Sequence, residues 1–392
     1  MTGALDGVTV LEVADYVTGP YAGMLLGDLG ANVIKIEKRR TGDPFRGFDP
    51  THGGGYDPEF LALNRNKKSL TLDLTTDGGR EVFLKLADTA AVIVENHRPG
   101  VMDKWGVGYD TVSKRNPGMI FCSISGFGQD GPYRDLPGYD TLGVAMGGLL
   151  SILTDMAKPE APRITFADHL TGIFACQAVL AALYARAQTG KGQKVETSLL
   201  QSVSSFVQSH AARYFVSGQL PREHRRSNLA AAFVAGDGKP FVIHLSTPPK
   251  FWEGLTDAVE RPELRDDPRF KTRELRVTNY RDFHATLQAI FATGPRQRWL
   301  DRMRARDVPC GPLYNVQEVF DDPQVRHLGL PIELHHPKKG KVRVSGSPVT
   351  LTETPVSYAA APPTLGEHTE EILRAAGYSA DDIARFANNG VI

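Results

Sequence analysis

Asp168 is the residue of this chain whose surroundings most clearly suggest chemistry. It stands just before a long apolar segment, residues 173–187, in which Arg186 is the only charged side chain. A carboxylate at the start of an apolar helix meets free N–H groups and partial positive charge, which keep it ionised. Aspartate is also a favoured N-cap residue. Local sequence therefore leaves two interpretations of Asp168 open, a nucleophile and a helix cap.

A glycine-rich motif, Gly126-Phe127-Gly128-Gln129-Asp130-Gly131, has the spacing of a dinucleotide-binding loop and follows a predicted strand. Pro132 and a polar run come directly after it, so no helix opens there to hold a pyrophosphate. We expect the glycines to form a loop that lies close to a ligand or to another backbone segment.

Two basic clusters could contact an anion. Residues 64–69 form a basic turn before a strand, and Lys38-Arg39-Arg40 follows another strand of the same predicted sheet. The first cluster is either a solvated turn or a phosphate contact. Together the two clusters could converge on a polyanionic cofactor.

Other catalytic classes find little support in the sequence. The eleven histidines show no metal-ligand spacing, and the adjacent His335 and His336 would point to opposite faces of a predicted hairpin, so no metal site is predicted. No G-x-S-x-G motif is present, which weakens a serine hydrolase reading. We interpret the three widely spaced cysteines, Cys122, Cys176 and Cys310, as reduced core thiols.

Composition excludes several partners. The 392 residues include 45 basic and 45 acidic side chains, so no bulk field attracts nucleic acid or an acidic membrane. The N-terminus shows no signal peptide pattern, and no stretch approaches 18 uninterrupted apolar residues. We therefore expect a cytoplasmic protein that binds neither nucleic acid nor membrane.

Short apolar strands alternate with helices over the first 200 residues. This alternation predicts an α/β fold with a mainly parallel sheet and helices on both faces. Helices are predicted at 76–87 and 199–216, a linker at 217–228, a hairpin within 330–351, and two short helices after Gly366. The predicted strands lie at 8–13, 32–36, 70–74, 91–94, 119–124, 193–197 and 241–245. Ligands of such sheets bind beyond the carboxyl ends of the strands, so the following loops are the candidate site: 15–18, 37–40, 96–100 and 125–139.

A series of motifs along nearly the whole chain resembles the class III CoA-transferases, the family of formyl-CoA and carnitine CoA-transferases. Each motif is weak alone, but their order makes the set specific. They are Leu5-Asp6-Gly7-Val8, Gly19-Pro20-Tyr21-Ala22, residues 29–37 and 64–69, Val94-Glu95-Asn96, Gly138-Tyr139-Asp140, residues 167–172, 189–193 and 308–312, and Leu365-Gly366-Glu367-His368-Thr369.

The resemblance implies a domain organisation. A Rossmann-like large domain that binds CoA would begin with residues 1–220, a small α+β domain would cover 229–325, and residues 326–392 would return to the large domain. Two chains of such a protein interlock into a homodimer.

The resemblance also implies an activity. Asp168 would be the nucleophile that moves CoA from an acyl-CoA to a small carboxylic acid, through a mixed anhydride and an aspartyl-CoA thioester. No cofactor would be bound permanently, because CoA and acyl-CoA are substrates. A loop of the small domain would act as a lid. Contacts to CoA carried over by position fall on Val17, Thr18, Lys38, Leu72, Asn96, His97, Arg98, Lys104 and Tyr139.

Departures from the family pattern bear on the reaction. The α-methylacyl-CoA racemases of this family carry a catalytic histidine where this chain has Tyr139, and a phenol is a poor base at neutral pH. Oxalate-using members carry glutamine at the position of Val17 and a glycine-rich loop where this chain has Ser246-Thr247-Pro248-Pro249. We therefore expect a donor such as succinyl-CoA rather than formyl-CoA, with a racemase and a non-catalytic CoA-binding protein as alternatives.

Overall fold

The computed structural model describes residues 3–48, 57–219, 229–246 and 248–392. It divides into two compact units: unit 1 is Met1–Val216 with Gly329–Ile392, and unit 2 is Ser217–Leu328. Most of the predicted linker at 217–228 lies outside the described residues, as does Thr247 of the predicted loop after residue 245.

A six-stranded parallel sheet forms the centre of unit 1, with the strand order β3-β2-β1-β4-β5-β6. The strands are β1 (Thr9–Val13), β2 (Asn32–Glu37), β3 (Lys67–Thr71), β4 (Val92–Glu95), β5 (Ile120–Ser125) and β6 (Gln193–Ser198). The sequence-based prediction of an α/β fold with a mainly parallel sheet is confirmed.

The third strand begins three residues earlier than the predicted 70–74 and ends at Thr71. The prediction followed the apolar alternation of Leu70, Leu72 and Leu74 and left Lys67 in a turn. Lys67 is nevertheless buried in the sheet, because its ammonium lies 2.8 Å from the Glu12 carboxylate of β1. A buried ion pair thus stands at the start of this edge strand, where the sequence predicted a turn.

Helices cover both faces of the sheet. The helices up to residue 217 are α1 (Thr18–Asp28), α2 (Pro58–Leu63), α3 (Asp77–Ala87), α4 (Val101–Lys104), α5 (Tyr109–Arg115), α6 (Asp140–Met146), α7 (Leu150–Leu153), α8 (Ala167–Thr189), α9 (Leu199–Phe206) and α10 (Gln208–Ser217). Successive strand residues point to opposite faces. Leu11 and Ile93 therefore pack with Phe83 of α3 on one face, whereas Val10 and Val92 share the other face's core with α1 and α8.

The single helix predicted at 199–216 is two helices in the structure. Val207 ends α9 with a ψ of 16°, outside the helical range, and α10 begins at the next residue. The boundary of the preceding predicted helix, 76–87, is correct to one residue.

Among the described helices, α8 alone has the length and apolar composition of a membrane span. A core helix of a soluble protein has the same composition, and one side of α8 is buried in unit 1 through Ala175, Cys176, Val179 and Ala182. The expectation that nothing crosses a membrane therefore depends on this packing rather than on composition.

Unit 2 has its own antiparallel sheet and core. Its strands are β7 (Ala230–Val234), β8 (Pro240–His244) and β9 (Cys310–Pro312), in that order across the sheet. Phe233 and Phe241 from the sheet pack against Phe291 and Trp299. Of these three strands, only β8 was predicted from the sequence, at 241–245. The helices are α11 (Pro249–Ala258), α12 (Arg273–Thr278), α13 (Tyr280–Phe291), α14 (Arg296–Arg304), α15 (Val316–Asp321) and α16 (Pro323–His327).

Unit 1 is completed by residues after Gly329. They form the predicted hairpin, β10 (Pro331–His336) and β11 (Gly340–Ser345), and the two predicted short helices, α17 (Thr369–Ala375) and α18 (Ala380–Asn388). His335 is exposed and His336 is buried, as the alternation of a strand requires.

The Leu365–Thr369 motif joins this part of the chain to β3. The backbone N–H of Ser69 donates to His368 Nδ1 at 3.2 Å, and the N–H of Gly366 donates to Ser69 Oγ at 2.8 Å. Glu367 accepts a hydrogen bond from His336 Nε2 of the hairpin at 3.1 Å. The motif therefore ties the hairpin and the sheet edge together.

Candidate active site

A cleft of about 460 Å³ opens in unit 1 beyond the carboxyl ends of β1, β4 and β5. This is the position at which parallel sheets bind ligands. Its wall contains the candidate nucleophile Asp168 and six of the predicted CoA contacts: Val17, Thr18, Asn96, His97, Arg98 and Tyr139.

A second cavity, of about 300 Å³, lies beyond β1 and β2. Lys38 and Leu72, two further predicted contacts, line it together with Trp105. Because His97 lines both cavities, they adjoin at that residue. Lys104 is exposed at the end of α4 and lines neither cavity.

The basic turn at residues 64–69 does not belong to this site. Arg65 is buried in an ion pair with Asp28, 2.5 Å between Nη2 and Oδ2, and Lys67 is buried against Glu12. Both interpretations of the turn, solvated loop and phosphate contact, are wrong for these two residues. Only Lys68 of the three cations is substantially exposed, and it pairs with Glu371.

Asp168 is the second residue of α8, and the N-cap position is taken by Phe166 without a side-chain cap. The capping acceptor is Asp140, the first residue of α6. Its Oδ1 accepts a hydrogen bond from the Asp168 N–H at 3.1 Å. The interpretation of Asp168 as a cap is therefore wrong.

The electrostatics of Asp168 also differ from the expectation. Burial, followed by the nearby charge of Asp140, raises the pKa of Asp168 from 3.8 to about 7. The helix N-terminus does not keep this carboxylate fully ionised, because burial disfavours the charged form and the neighbouring carboxylate of Asp140 adds repulsion. A carboxylate of raised basicity at neutral pH has the character of a nucleophile or of a general base.

Close packing between α1 and α8 places Asp168 beside the β1–α1 loop. A Cβ on Gly172, one turn along α8, would lie 2.9 Å from the Thr18 carbonyl oxygen and 3.0 Å from the Tyr21 ring. Only glycine permits this approach. The glycine of the Asp168–Gly172 motif thus sets the distance between the carboxylate and the loop that carries Val17.

The Asn96 side chain holds that loop in place. Its Oδ1 accepts from the Asp15 N–H at 3.0 Å, and its Nδ2 donates to the Asp15 carbonyl at 2.7 Å and to Thr18 Oγ1 at 3.1 Å. Because both polar atoms of the Asn96 side chain are used in these three hydrogen bonds, we assign Asn96 the role of positioning the β1–α1 loop.

A buried charge network, which sequence reasoning missed, lies beneath the loop. Lys35 Nζ lies 3.0 Å from Glu12 Oε1 and 2.9 Å from Asp43 Oδ2, and it donates to the Ala14 carbonyl at 2.7 Å. Burial alone would lower the pKa of Lys35, but Asp43 and Glu12 outweigh burial and raise it. The sequence did contain one sign of this network, a charged residue within each of two apolar strands: Glu12 in β1 and Lys35 in β2.

Asp43 extends this network to the cleft. Its Oδ1 accepts from the N–H groups of Tyr16, at 3.2 Å, and Phe45, at 2.9 Å. Tyr16 has a φ of 64°, an uncommon conformation for a residue with a side chain, which the hydrogen bond to Asp43 supports. Tyr16 and Phe45, which line the cleft, are in this way fixed by a buried ion pair.

His97 forms an uncharged junction between the cavities. Burial, with Lys38 and Lys35 adding to it, lowers the pKa of His97 to about 4. Its ring meets that of Trp105 edge to face with centroids 4.9 Å apart. At neutral pH this histidine therefore offers an apolar ring surface rather than a cation.

The glycine-rich loop has the role expected from its sequence. A Cβ on Gly126 would lie 2.7 Å from Gly138 Cα, so the loop packs directly on the Gly138-Tyr139-Asp140 motif. No helix begins until Asp140, which excludes the dinucleotide-loop geometry. Among the described residues, no group of three or more potential metal ligands occurs.

The residues that form this site lie within a sequence pattern that defines a protein family. The profile of CoA-transferase family III matches residues 5–369. The chain belongs to CoA-transferase family III. The match includes the cleft, the second cavity and the Asp168 helix, so these features can be considered as parts of a family III enzyme.

Characterised relatives extend over nearly the whole chain. Succinyl-CoA:glutarate CoA-transferase of Mus musculus is 36% identical over 99% of this chain and 90% of its own length. Succinyl-CoA–D-citramalate CoA-transferase of Chloroflexus aurantiacus is 33% identical over 99% of this chain and 98% of its own length. A crystal structure of a CAIB/BAIF family protein from Brucella suis superposes with a TM-score of 0.87 at 32% identity, over 96% of this chain and 100% of that chain.

Family III membership makes this chain an enzyme of the CoA-transferase type. The alternative of a CoA-binding protein without activity is set aside. CoA thioesters and carboxylic acids are the substrates that fit this type of enzyme.

Proposed function

We propose that this enzyme transfers CoA from succinyl-CoA, or a similar acyl-CoA, to a small carboxylic acid through covalent intermediates on Asp168. The observation that carries the proposal is the position of Asp168: a half-buried carboxylate of raised basicity, in the same cleft wall as six predicted CoA contacts. The named activities of the relatives support the choice of donor.

The two adjoining cavities suggest how CoA would bind. The phosphates and nucleoside would occupy the cavity of Lys38, where cationic side chains can contact phosphate oxygens. The pantetheine arm would cross the neutral His97 ring, and the thioester would reach Asp168 in the larger cleft. Lys104 stays a predicted phosphate contact from the neighbouring helix.

The first half of the reaction loads CoA onto the enzyme. The Asp168 carboxylate attacks the thioester carbonyl, the C–S bond breaks, and a mixed anhydride and a CoA thiolate result. The thiolate then attacks the Asp168 carbonyl carbon of the anhydride. The C–O bond to the donor acyl group breaks, which leaves an aspartyl-CoA thioester and the free donor acid.

The second half runs the same steps in reverse with the acceptor. The acceptor carboxylate attacks the aspartyl-CoA thioester and releases the thiolate, which attacks the acceptor's acyl carbon. Acyl-CoA of the acceptor leaves, and the Asp168 carboxylate is restored. Water must be kept out during these steps because both intermediates hydrolyse.

Intact-protein mass spectrometry tests the role of Asp168. Wild-type enzyme incubated with succinyl-CoA and no acceptor should gain the mass of CoA less water, and peptide mapping should place the adduct on Asp168. Asp168→Asn and Asp168→Ala should gain no mass and lose transfer, whereas the exposed Asp266→Asn, outside both cavities, should behave as wild type. Near-normal transfer by Asp168→Ala would contradict the mechanism.

Racemisation is the second candidate within the same family. A 2-methylacyl-CoA in deuterated water, without an acceptor acid, distinguishes the two reactions. A transferase should leave the α-hydrogen unlabelled, since Tyr139, which lines the cleft with 66% of its surface exposed, is a phenol where racemases carry a histidine base. Deuterium incorporation at turnover rates would favour the racemase.

We also propose that the active form is an interlocked homodimer in the cytoplasm. Large apolar side chains are exposed on successive helices from α6 to α10, where a folded monomer would leave them in water. They include Met146, Leu153, Ile173, Tyr184, Phe206 and Phe215. A second copy of the chain would cover them.

A further inference from the structure

Asp140 makes an unusual contact with the helix that carries Asp168. Its Oδ1 accepts a hydrogen bond from the backbone N–H of Asp168 at 3.1 Å, from a position 28 residues away in α6. The first N–H groups of a helix are the donors that it normally offers to an anion. In this protein the N–H of Asp168 is already occupied by a carboxylate.

Two consequences follow for Asp168. Its own N–H is engaged by Asp140, and its side chain lies near a second carboxylate. Burial raises the pKa of Asp140 as well, but the hydrogen bond from the Asp168 N–H favours the ionised form of Asp140. The other titratable group acting on this pair is His169, whose Nδ1 is 2.7 Å from the Thr165 carbonyl oxygen.

We propose that Asp140 is a positioning residue that keeps Asp168 in a basic, strongly nucleophilic state by accepting a hydrogen bond from the Asp168 N–H in the same cleft wall and by repelling negative charge on its neighbour. The repulsion disappears when Asp168 becomes part of a neutral anhydride or thioester, so Asp140 favours formation of the covalent intermediates. This inference rests on the proposed role of Asp168 as nucleophile. It also means that the Asp168 N–H does not serve as an oxyanion donor.

Asp140→Asn separates the charge from the cap. Asparagine caps helices as well as aspartate does, so the variant keeps an acceptor for the Asp168 N–H but loses the negative charge. Asp140→Ser is a second neutral cap, should the asparagine variant fold poorly. Asp266→Asn, at an exposed position of unit 2 that lines neither cavity, is the matched control.

The experiment has two readouts. Selective ¹³C labelling of aspartate carboxyl groups gives the titration of Asp168 by NMR, with Asp168→Asn identifying its signal. Removal of one like charge a few ångströms away should lower the midpoint by roughly one pH unit. The rate of CoA adduct formation, followed by mass spectrometry, should rise at correspondingly lower pH but reach a lower plateau.

The outcomes separate this inference from the proposed function. An unchanged Asp168 midpoint in a folded Asp140→Asn protein would overturn the inference, even if wild type forms the adduct. Wild-type protein that forms no adduct would overturn the covalent mechanism, whatever the NMR titration shows. If Asp140→Asn shifted neither readout and Asp140→Ala only lowered stability, Asp140 would be a structural cap alone.

Discussion

Replacing Asp168 with asparagine should stabilise the folded protein above neutral pH while it abolishes CoA transfer. Burial and the charge of Asp140 raise the pKa of Asp168 from 3.8 to about 7 in the native state. In the unfolded chain the carboxyl titrates near its ordinary value, so the native state binds more protons between these two values. The protonated Asp168 therefore does not reduce the free energy of unfolding of the wild type below about pH 4. This free energy falls as the pH rises from there through 7.

The magnitude follows from the shift. Roughly three pKa units, at about 1.4 kcal/mol per unit, correspond to an upper limit of about 4 kcal/mol in the free energy of unfolding. Asparagine has nearly the same shape without the charge, so it removes this cost. We expect Asp168→Asn to exceed wild type by about 2 to 4 kcal/mol at pH 8 and by much less at pH 5.

Urea unfolding followed by far-UV circular dichroism at pH 5, 6.5 and 8 measures this difference. Asp130→Asn, at an exposed position, serves as the control and should change stability by less than about 0.5 kcal/mol at each pH. An Asp168→Asn protein that is less stable than wild type at pH 8, or whose advantage does not grow with pH, would refute the reasoning.

Three further predictions concern the network, the CoA phosphates and the assembly. Lys35→Met should cost about 3 to 5 kcal/mol in urea unfolding because it leaves buried carboxylates unpaired, whereas Lys68→Met, which breaks an exposed pair, should cost at most about 1 kcal/mol; equal costs would contradict the burial argument. Lys38→Ala and Lys104→Ala should mainly raise the KM for acyl-CoA, since lost phosphate contacts remove uniform binding, and an unchanged KM in both would argue against their placement. Sedimentation equilibrium across a dilution series should show a dimer with no folded monomer, and an active monomer at low concentration would disprove the interlocked assembly.

The sequence predicts the parallel sheet well because its strands are marked by apolar runs. Five of the six strands of the parallel sheet lie within one residue of their predicted bounds. The exception, β3, contains a buried lysine whose partner, Glu12, is 55 residues away. Local patterns carry no information about such a partner, and so the strand was placed too late in the chain.

The candidate site shows the same limit. Asp168 and its motif were recognisable, and three of the four predicted loops do meet in one cleft, while residues 37–39 of the fourth line the adjoining cavity. The raised pKa of Asp168 was not predicted, because it depends on burial and on a carboxylate that reaches α8 from another helix. The basic turn at residues 64–69 was misinterpreted for a related reason, since only the fold reveals that Asp28 neutralises Arg65.

The two-part construction of unit 1 has a consequence for biosynthesis. Val391, Leu373 and Phe386 belong to the same apolar core as Phe83 and Ile93, and the Asp73 N–H donates to the Val391 carbonyl at 2.8 Å. Unit 2 is translated between the two parts. A nascent chain therefore carries one face of its sheet partly uncovered until Leu373, Phe386 and Val391 have been translated, and such exposed apolar surface binds chaperones or aggregates. Expression yield should accordingly depend on elongation rate and chaperone supply more than the native stability of the enzyme would suggest.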